Sequence, residues 1–224
     1  MYGILPEYTH IVKPKLRNTY LSFDEKGNLI IKSPEVSQHY IEQLLLKKAE
    51  WITKSREKIQ QKKGKPVDFT EKSRLYFKGS SYPLKIVSHN KQKTALSFES
   101  DLFLLYFYQY NEILFRKHID HFYKKEAEQF LPALVAKYAQ QMQLFPKKIQ
   151  FRKTKRQWGS CSGKNVLSFN TMLMKLPPNV IEYVVVHELA HIEHKHHQKS
   201  FWNLVGEHIP DYKACIRELH TYTT

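Results

Sequence analysis

Two histidines and a glutamate, in the run His187-Glu188-Leu189-Ala190-His191, have types and spacing suited to metal-dependent hydrolysis. On a helix, residues four apart lie on one face, so the imidazoles of His187 and His191 can bind one metal ion. Glu188 lies about 100° around the helix, where its carboxylate can reach a metal-bound water. This pattern is typical of zinc hydrolases, and it predicts Zn²⁺ on the two histidines with Glu188 as general base.

The residues before this motif predict the helix that positions it. Pro177-Pro178 blocks extension upstream, and Asn179 with Glu182 has capping-box spacing. An apolar stripe then runs into the two histidines and consists of Val180, Ile181, Val184 and Val185. The histidines are therefore expected on a buried face, where neutral polar rings need partners and a metal ion provides them.

Catalytic zinc usually has three protein ligands and one open position, so a third ligand is needed. A helix continued through His194 would place that residue about 4.5 Å beyond His191, too far to share the metal. The third ligand must therefore come from chain that turns back. His197 fits if the helix ends near residues 193–195, and Glu207 on a following helix is the alternative. The full set of candidates is His194, His196, His197, Glu207 and His208.

Several motifs in order along the chain resemble the YgjP-like family of metallopeptidases, to which SprT-like and WLM-type peptidases are distantly similar. The resemblance covers most of the chain and is strongest over residues 150–212. The motifs that carry it are Trp158-Gly159-Ser160-Cys161-Ser162, Leu176-Pro177-Pro178, Tyr183 through His191, His197, Phe201-Trp202 and Pro210-Asp211-Tyr212.

The resemblance implies a zinc metallopeptidase of α+β, zincin-like fold acting on a peptide or protein. It implies His187, His191 and His197 as zinc ligands and Glu188 as the base. Other members are described as nucleoside-triphosphate (UTP) pyrophosphatases, so nucleotide hydrolysis is the alternative. Cations near the site would favour that reading, and the candidates are Lys153, Lys155 and Arg156, which could equally be solvated strand residues.

Composition sets broad limits on partners and location. Lys and Arg number 36 and Asp and Glu 21, a net charge of +15. This favours an anionic partner such as a nucleotide or nucleic acid, although a basic solvated surface would give the same count. No apolar run approaches the roughly 18 residues of a membrane span. Two cysteines are too few for a disulfide framework, and residues 1–7 lack a signal-peptide pattern, so we expect a cytoplasmic protein. The sequence leaves the oligomeric state open.

Hydrophobic patterning and turn residues predict the elements around the motif. We expect strands over 8–13, 18–23 and 28–32, with turn residues 24–28 between the last two. One long helix to about residue 62 should then start with Ser33 as N-cap and Pro34 at the first helical position. A β-meander is expected over 73–78, 82–88, 94–98 and 102–108.

A second long helix is predicted over 111–143, kinked or split at Pro132. Strands over 148–154 and 166–173 should form a sheet over the active-site helix, with the Trp158–Ser162 segment between them near the metal. Alternatively, that segment is only a tight turn, in which Trp158 fills the core and Gly159 has positive φ. A last helix is expected over about 200–209. We divide the chain into a β-rich region, residues 1–108, with a long basic helix, and a zincin-like catalytic domain, residues 109–224.

Overall fold

The computed structural model describes residues 6–24 and 27–224, and the chain divides into two compact units, residues 1–65 and 66–224. Two expectations fall partly outside the described residues. They are the absence of a signal peptide, which involves residues 1–5, and the turn over 24–28, which involves residues 25 and 26. Within the described ranges no helix is both long and apolar enough to cross a membrane.

The first unit holds a three-stranded sheet and two helices. Its strands are β1 (Tyr8–Val12), β2 (Tyr20–Phe23) and β3 (Leu29–Ser33), in the order β1-β3-β2, with β1 parallel and β2 antiparallel to β3. The helices are α1 (Gln38–Lys47) and α2 (Ala49–Gln61). A small core joins sheet and helices and consists of Leu29, Ile31, Ile41, Leu45 and Ile52.

The expected helix start at Ser33 is wrong, and so is the single long helix. Ser33 ends β3, and the Ser37 side chain is the N-cap of α1, accepting the Tyr40 N–H at 3.2 Å. A residue before proline is restricted to extended backbone, which suits a strand end as well as a helix cap, so the sequence did not separate the two serines. The backbone breaks at Lys48, with φ −105° and ψ 7°, between α1 and α2.

The second unit begins with a four-stranded sheet that is not the expected meander. Its strands are β4 (Arg74–Phe77), β5 (Ser80–Ser88), β6 (Ala95–Glu99) and β7 (Leu102–Phe107), in the order β4-β5-β7-β6. β7 lies between β5 and β6 and is parallel to β5. Turn residues predict hairpins between strands that follow one another in sequence. The six-residue connection 89–94 is long enough to cross the end of β7, so β5 and β6 are not neighbours in the sheet.

The turn between β4 and β5 forms backbone hydrogen bonds with the segment that precedes the helix of the candidate site. Lys78 and Gly79 donate their backbone N–H groups to the carbonyls of Met174 and Lys175, at 2.8 and 3.1 Å. Gly79 has φ +88°, and a Cβ built on it would lie 2.9 Å from Pro177. Only glycine accommodates both the backbone conformation and this close approach.

A long helix and a second sheet follow. Helix α3 (Glu112–Met142) starts with an Asn111 side-chain cap and continues through Pro132, which does not split it. Strands β8 (Lys148–Arg152), β9 (Gly159–Cys161) and β10 (Val166–Asn170) form a sheet in the order β8-β10-β9. β10 is parallel to β8 and antiparallel to β9. The three-residue strand β9 is too short to show an alternating pattern, and the sequence did not predict it.

The remaining elements are a 3-10 helix (Thr171–Lys175) and the helices α4 (Pro178–Glu193), α5 (Lys199–His208) and α6 (Tyr212–Leu219). The strand expected to reach residue 173 ends at Asn170, whose side chain accepts the Met172 N–H. The capping box is wrong too. Pro177 is the N-cap of α4, without a side-chain hydrogen bond, and Glu182 instead accepts from the Tyr138 hydroxyl on α3.

Residues from both sheets, α3 and α4 share one core in the second unit. The four-stranded sheet therefore belongs with the elements of the candidate site, and the compact units separate after Lys65, whereas the sequence placed the boundary after residue 108. The described residues form a mixed α+β protein with small sheets, which agrees with the expected fold class.

Candidate metal centre

Helix α4 and the chain just beyond it bring three histidines together. His187 and His191 lie one turn apart near the end of α4, which stops at Glu193. The next residues turn back and place His197 against them. One ligand atom from each of the three lies within 4.8 Å of the others, and the Nε2 atoms of His187 and His197 are 3.1 Å apart. The helix therefore ends near residues 193–195, where it must end if His197 is to turn back to the other two histidines.

The other ring nitrogens of the two helical histidines are held by hydrogen bonds. His187 Nδ1 lies 3.2 Å from the Tyr183 hydroxyl, and His191 Nδ1 lies 2.9 Å from the His194 carbonyl oxygen. Because Nδ1 is engaged in each ring, Nε2 is the nitrogen available to a metal ion. Such outer hydrogen bonds fix ring orientation and tautomer in metal sites.

Aromatic side chains of α5 support the three imidazoles. The ring of Phe201, which is fully buried, lies 4.7 to 4.9 Å from each of the three imidazole rings, centre to centre. Trp202 donates its Nε1–H to the His197 carbonyl at 3.1 Å and stacks on Tyr212. The turn that carries His197 is therefore fixed by the first residues of α5.

Burial favours the neutral form of the two imidazoles on α4, those of His187 and His191. Burial, followed by the neighbouring His191 and His197, lowers the pKa of His187 to about 3. Burial also lowers the pKa of His191. A metal ligand must be deprotonated, so both shifts favour the form that binds a cation. Zinc–nitrogen bonds of 2.0–2.1 Å put tetrahedral ligands about 3.3 Å apart, and the 3.1 Å between His187 and His197 fits that spacing.

Glu188 lies next to the triad but points to a different neighbour, strand β9. Its side chain is buried, at 6% exposure, and burial raises the pKa of the carboxyl group to about 8. In the described part of the chain no hydrogen bond reaches this carboxylate. Its Cγ and Oε1 lie so close to β9 that a Cβ built on Gly159 would be 2.6 Å from each of them. A buried carboxylate without a protein partner is suited to hold water or a substrate group.

The turn that carries His197 is also tied to the β9–β10 hairpin. Lys195 Nζ donates to Asn165 Oδ1 at 2.8 Å and to the Ser162 carbonyl at 3.4 Å, and it lies 3.7 Å from Cys161 Sγ. Burial raises the pKa of the Cys161 thiol, and the Lys195 charge opposes that shift. Lys195 therefore links the turn after α4 to the β9–β10 hairpin.

The other candidates lie outside the converging group. Glu207 is exposed on α5, and the described residues that converge are the three histidines alone. His194 is the C-cap of α4, while the ring of His196 lies 6.0 Å from that of His194. The basic residues are also engaged elsewhere or exposed: Lys153 pairs with Asp120 of α3, and Lys155 and Arg156 are exposed between β8 and β9.

Three supporting residues are not among the predicted site residues, and only Tyr183 has a local signal. Tyr183 precedes His187 by four residues, so it shares that face of the helix, but it was noted only as part of a family motif. Lys195 was one cation among many. Gly159 lacks the positive φ of the tight-turn alternative, and a Cβ built on it would meet the Glu188 side chain.

Comparison with known proteins identifies the family. The model of the YgjP-like, metallopeptidase domain matches residues 17–222. Among solved structures, the crystal structure of the metallopeptidase zymogen of Pyrococcus abyssi abylysin is 20% identical, with a TM-score of 0.39, covering 41% of this chain and 93% of that one. A search of curated proteins found no match. The family match confirms the resemblance seen in the motifs: the chain belongs to the YgjP-like family.

Proposed function

We propose that this member of the YgjP-like family is a zinc-dependent peptidase. The metal ligands are His187, His191 and His197, and the general base is Glu188. One observation carries the proposal: three imidazoles converge next to a buried carboxylate that has no hydrogen bond within the described residues. The family is one of metallopeptidases, which supports a metal-dependent hydrolase acting on peptide bonds.

The donor set fits zinc better than the harder cations. Three nitrogen donors and no carboxylate suit Zn²⁺, whereas Mg²⁺ and Ca²⁺ prefer oxygen. When bound, zinc supplies a Lewis acid that polarises a carbonyl group and lowers the pKa of water. Three protein ligands leave an open position for that chemistry, as catalytic sites require.

Glu188 moves the proton in this mechanism. Its carboxylate accepts a proton from the attacking water and transfers it to the leaving amine nitrogen. Burial raises the carboxyl pKa, which makes the group a stronger base than an exposed glutamate. A divalent cation on the neighbouring histidines favours the ionised form, so the group can begin the cycle as a base.

The edge of the β8-β10-β9 sheet supplies a place for an extended substrate, as in a zincin-like arrangement. β9 is the edge strand. Its hydrogen bonds to β10 include those of Trp158 and Ser162: the Trp158 carbonyl accepts from the Asn170 N–H, and the Ser162 N–H donates to the Val166 carbonyl. Bonds alternate along an antiparallel pair, so the backbone groups of Gly159 and Cys161 face the unpaired side. A peptide can add there as a further strand, next to Glu188.

The direct test measures metal dependence and substrate class in one preparation. Purified protein is stripped with a chelator, reloaded with Zn²⁺, and offered an unfolded protein, a peptide library and UTP. We expect hydrolysis of the polypeptides that disappears on stripping and returns with zinc. Zinc-dependent hydrolysis of UTP alone would contradict the proposal, as would polypeptide hydrolysis that is unaffected by stripping.

A further inference from the structure

We propose that Gly159 is a positioning residue for Glu188. Its missing side chain leaves the space in which the carboxylate lies, beneath strand β9. The catalytic consequence rests on the proposed function, while the packing claim does not. Gly159 belongs to the Trp158–Ser162 motif, for which the metal site alone gives no role.

The contact between the two residues is direct. A Cβ built on Gly159 would lie 2.6 Å from both Cγ and Oε1 of Glu188 and 2.8 Å from its Cδ. These are the three nearest heavy atoms, and all belong to one side chain. Carbon atoms that are not bonded pack at about 3.5–4.0 Å, so an alanine at this position cannot coexist with the present Glu188 side chain.

Backbone conformation does not explain the glycine. The described glycines with positive φ are Gly27, Gly64 and Gly79, and Gly159 is not among them. It lies in a regular antiparallel register, opposite Phe169 of β10. An alanine would suit this backbone, so the requirement at residue 159 is one of space.

A displaced Glu188 side chain would have to move within a buried region. Glu188 is buried, and Cys161 lies on the same face of β9 as Gly159, since residues two apart in a strand share a face. A methyl group at residue 159 therefore pushes the carboxylate out of its present position.

Such a displacement has a specific effect on the reaction. A shift of about 1 Å in a catalytic group can cost roughly 100-fold in rate, even when the substrate still binds. No imidazole atom is among the three atoms nearest the Cβ built on Gly159, so metal binding should survive. The signature of a positioning role is thus a fall in kcat with unchanged zinc content.

The test is a double-mutant cycle that pairs Gly159→Ala with Glu188→Ala, read by thermal unfolding. Gly159→Ala alone should lower Tm by about 3–10 °C, because overpacking destabilises. In the Glu188→Ala background the same change should cost less than about 2 °C, because the opposing side chain is gone. Gly163→Ala is the matched control: it lies in the same hairpin, and an added Cβ there meets nothing within 4 Å.

Activity on an unfolded protein completes the test. Gly159→Ala should lose roughly 100-fold in kcat and keep its zinc, while Gly163→Ala keeps both. An equal loss of Tm in both backgrounds would overturn the proposal, and so would near wild-type kcat in Gly159→Ala. If the wild-type protein hydrolyses no polypeptide, the proposed function fails, yet the thermal cycle still decides whether Gly159 accommodates Glu188.

Discussion

At the scale of single residues, the three imidazoles differ in how firmly they are held. His187 and His191 each have a hydrogen bond on Nδ1 and lie on a helix, whereas His197 is exposed and depends on the turn after α4. The proposed zinc site nevertheless requires all three, because two histidines alone make an incomplete zinc site.

We predict that His197→Ala weakens zinc binding by at least about 100-fold, since a direct ligand is worth more than the 10–100-fold of an outer partner. His196→Ala, one residue earlier in the same turn, should change the affinity by less than about 3-fold, as should Glu207→Ala on α5. Competition titration with a zinc chelator measures all three variants. Loss of zinc in Glu207→Ala together with full binding in His197→Ala would assign the third ligand to α5.

Tyr183 offers a second prediction at this scale. Tyr183→Phe removes the hydroxyl next to His187 Nδ1 and should weaken zinc binding by about 10–100-fold. Tyr138→Phe is the control, because it removes a buried hydroxyl that bonds Glu182 and no ligand. It should lower the free energy of unfolding without changing zinc affinity. Equal zinc affinity in the two variants would show that Tyr183 has no part in holding the ligand.

The sequence predicts His187, Glu188 and His191 as site residues, because helix geometry alone relates their positions. His197 needed an argument about where the helix ends, and that end is at Glu193. Gly159 and Lys195 could not be found in this way. Their contacts join segments that are about 30 residues apart in sequence, and no local pattern encodes such contacts.

At the scale of elements, the proposed position of the substrate depends on β9. The strand is three residues long, lies at a sheet edge and faces Glu188 on α4. At this scale too, the sequence predicts some features of the structure and not others. Long amphipathic elements such as α3 were found within a few residues, whereas β9 and the break at Lys48 were missed because tertiary pairing and packing define them.

We predict that substrate peptides bind to β9 through their backbone. Methylation of a single peptide nitrogen that would pair with β9 should raise KM by about 10-fold, since one backbone hydrogen bond contributes about 0.5–1.5 kcal/mol and the methyl group also blocks strand pairing. Methylation at the next nitrogen along, which points away, should have little effect. A scan of singly methylated versions of one cleaved peptide measures this, and a flat profile would exclude strand addition at β9.

At the scale of the whole molecule, the candidate site depends on one core. That core joins the four-stranded sheet to α3 and α4, and among its fully buried members are Phe103, Leu105 and Val185. Sequence patterning could not show this, because the sheet before residue 108 and the helices after it look like separate regions along the chain. The net charge of +15 still predicts an anionic partner.

We predict that a fragment of residues 66–224 folds cooperatively and binds about one zinc per chain, because it contains the compact second unit. A fragment of residues 109–224 is the control. It lacks Phe103 and Leu105, which are fully buried in the intact protein, and should lose cooperative unfolding. Calorimetry and zinc analysis of both fragments decide the matter. Equal behaviour of the two would show that the four-stranded sheet is dispensable for the site.

The measurement that tests the central claim most directly compares wild-type protein with Glu188→Gln on one unfolded-protein substrate, with zinc content determined in the same samples. Glutamine keeps the size of the side chain and removes its basicity, so fold and zinc should be retained. We expect equal zinc, near one per chain, and a loss of hydrolysis of at least about 100-fold, the scale of general acid–base catalysis. Equal zinc with near wild-type hydrolysis would contradict the assignment of Glu188 as the base and, with it, the mechanism.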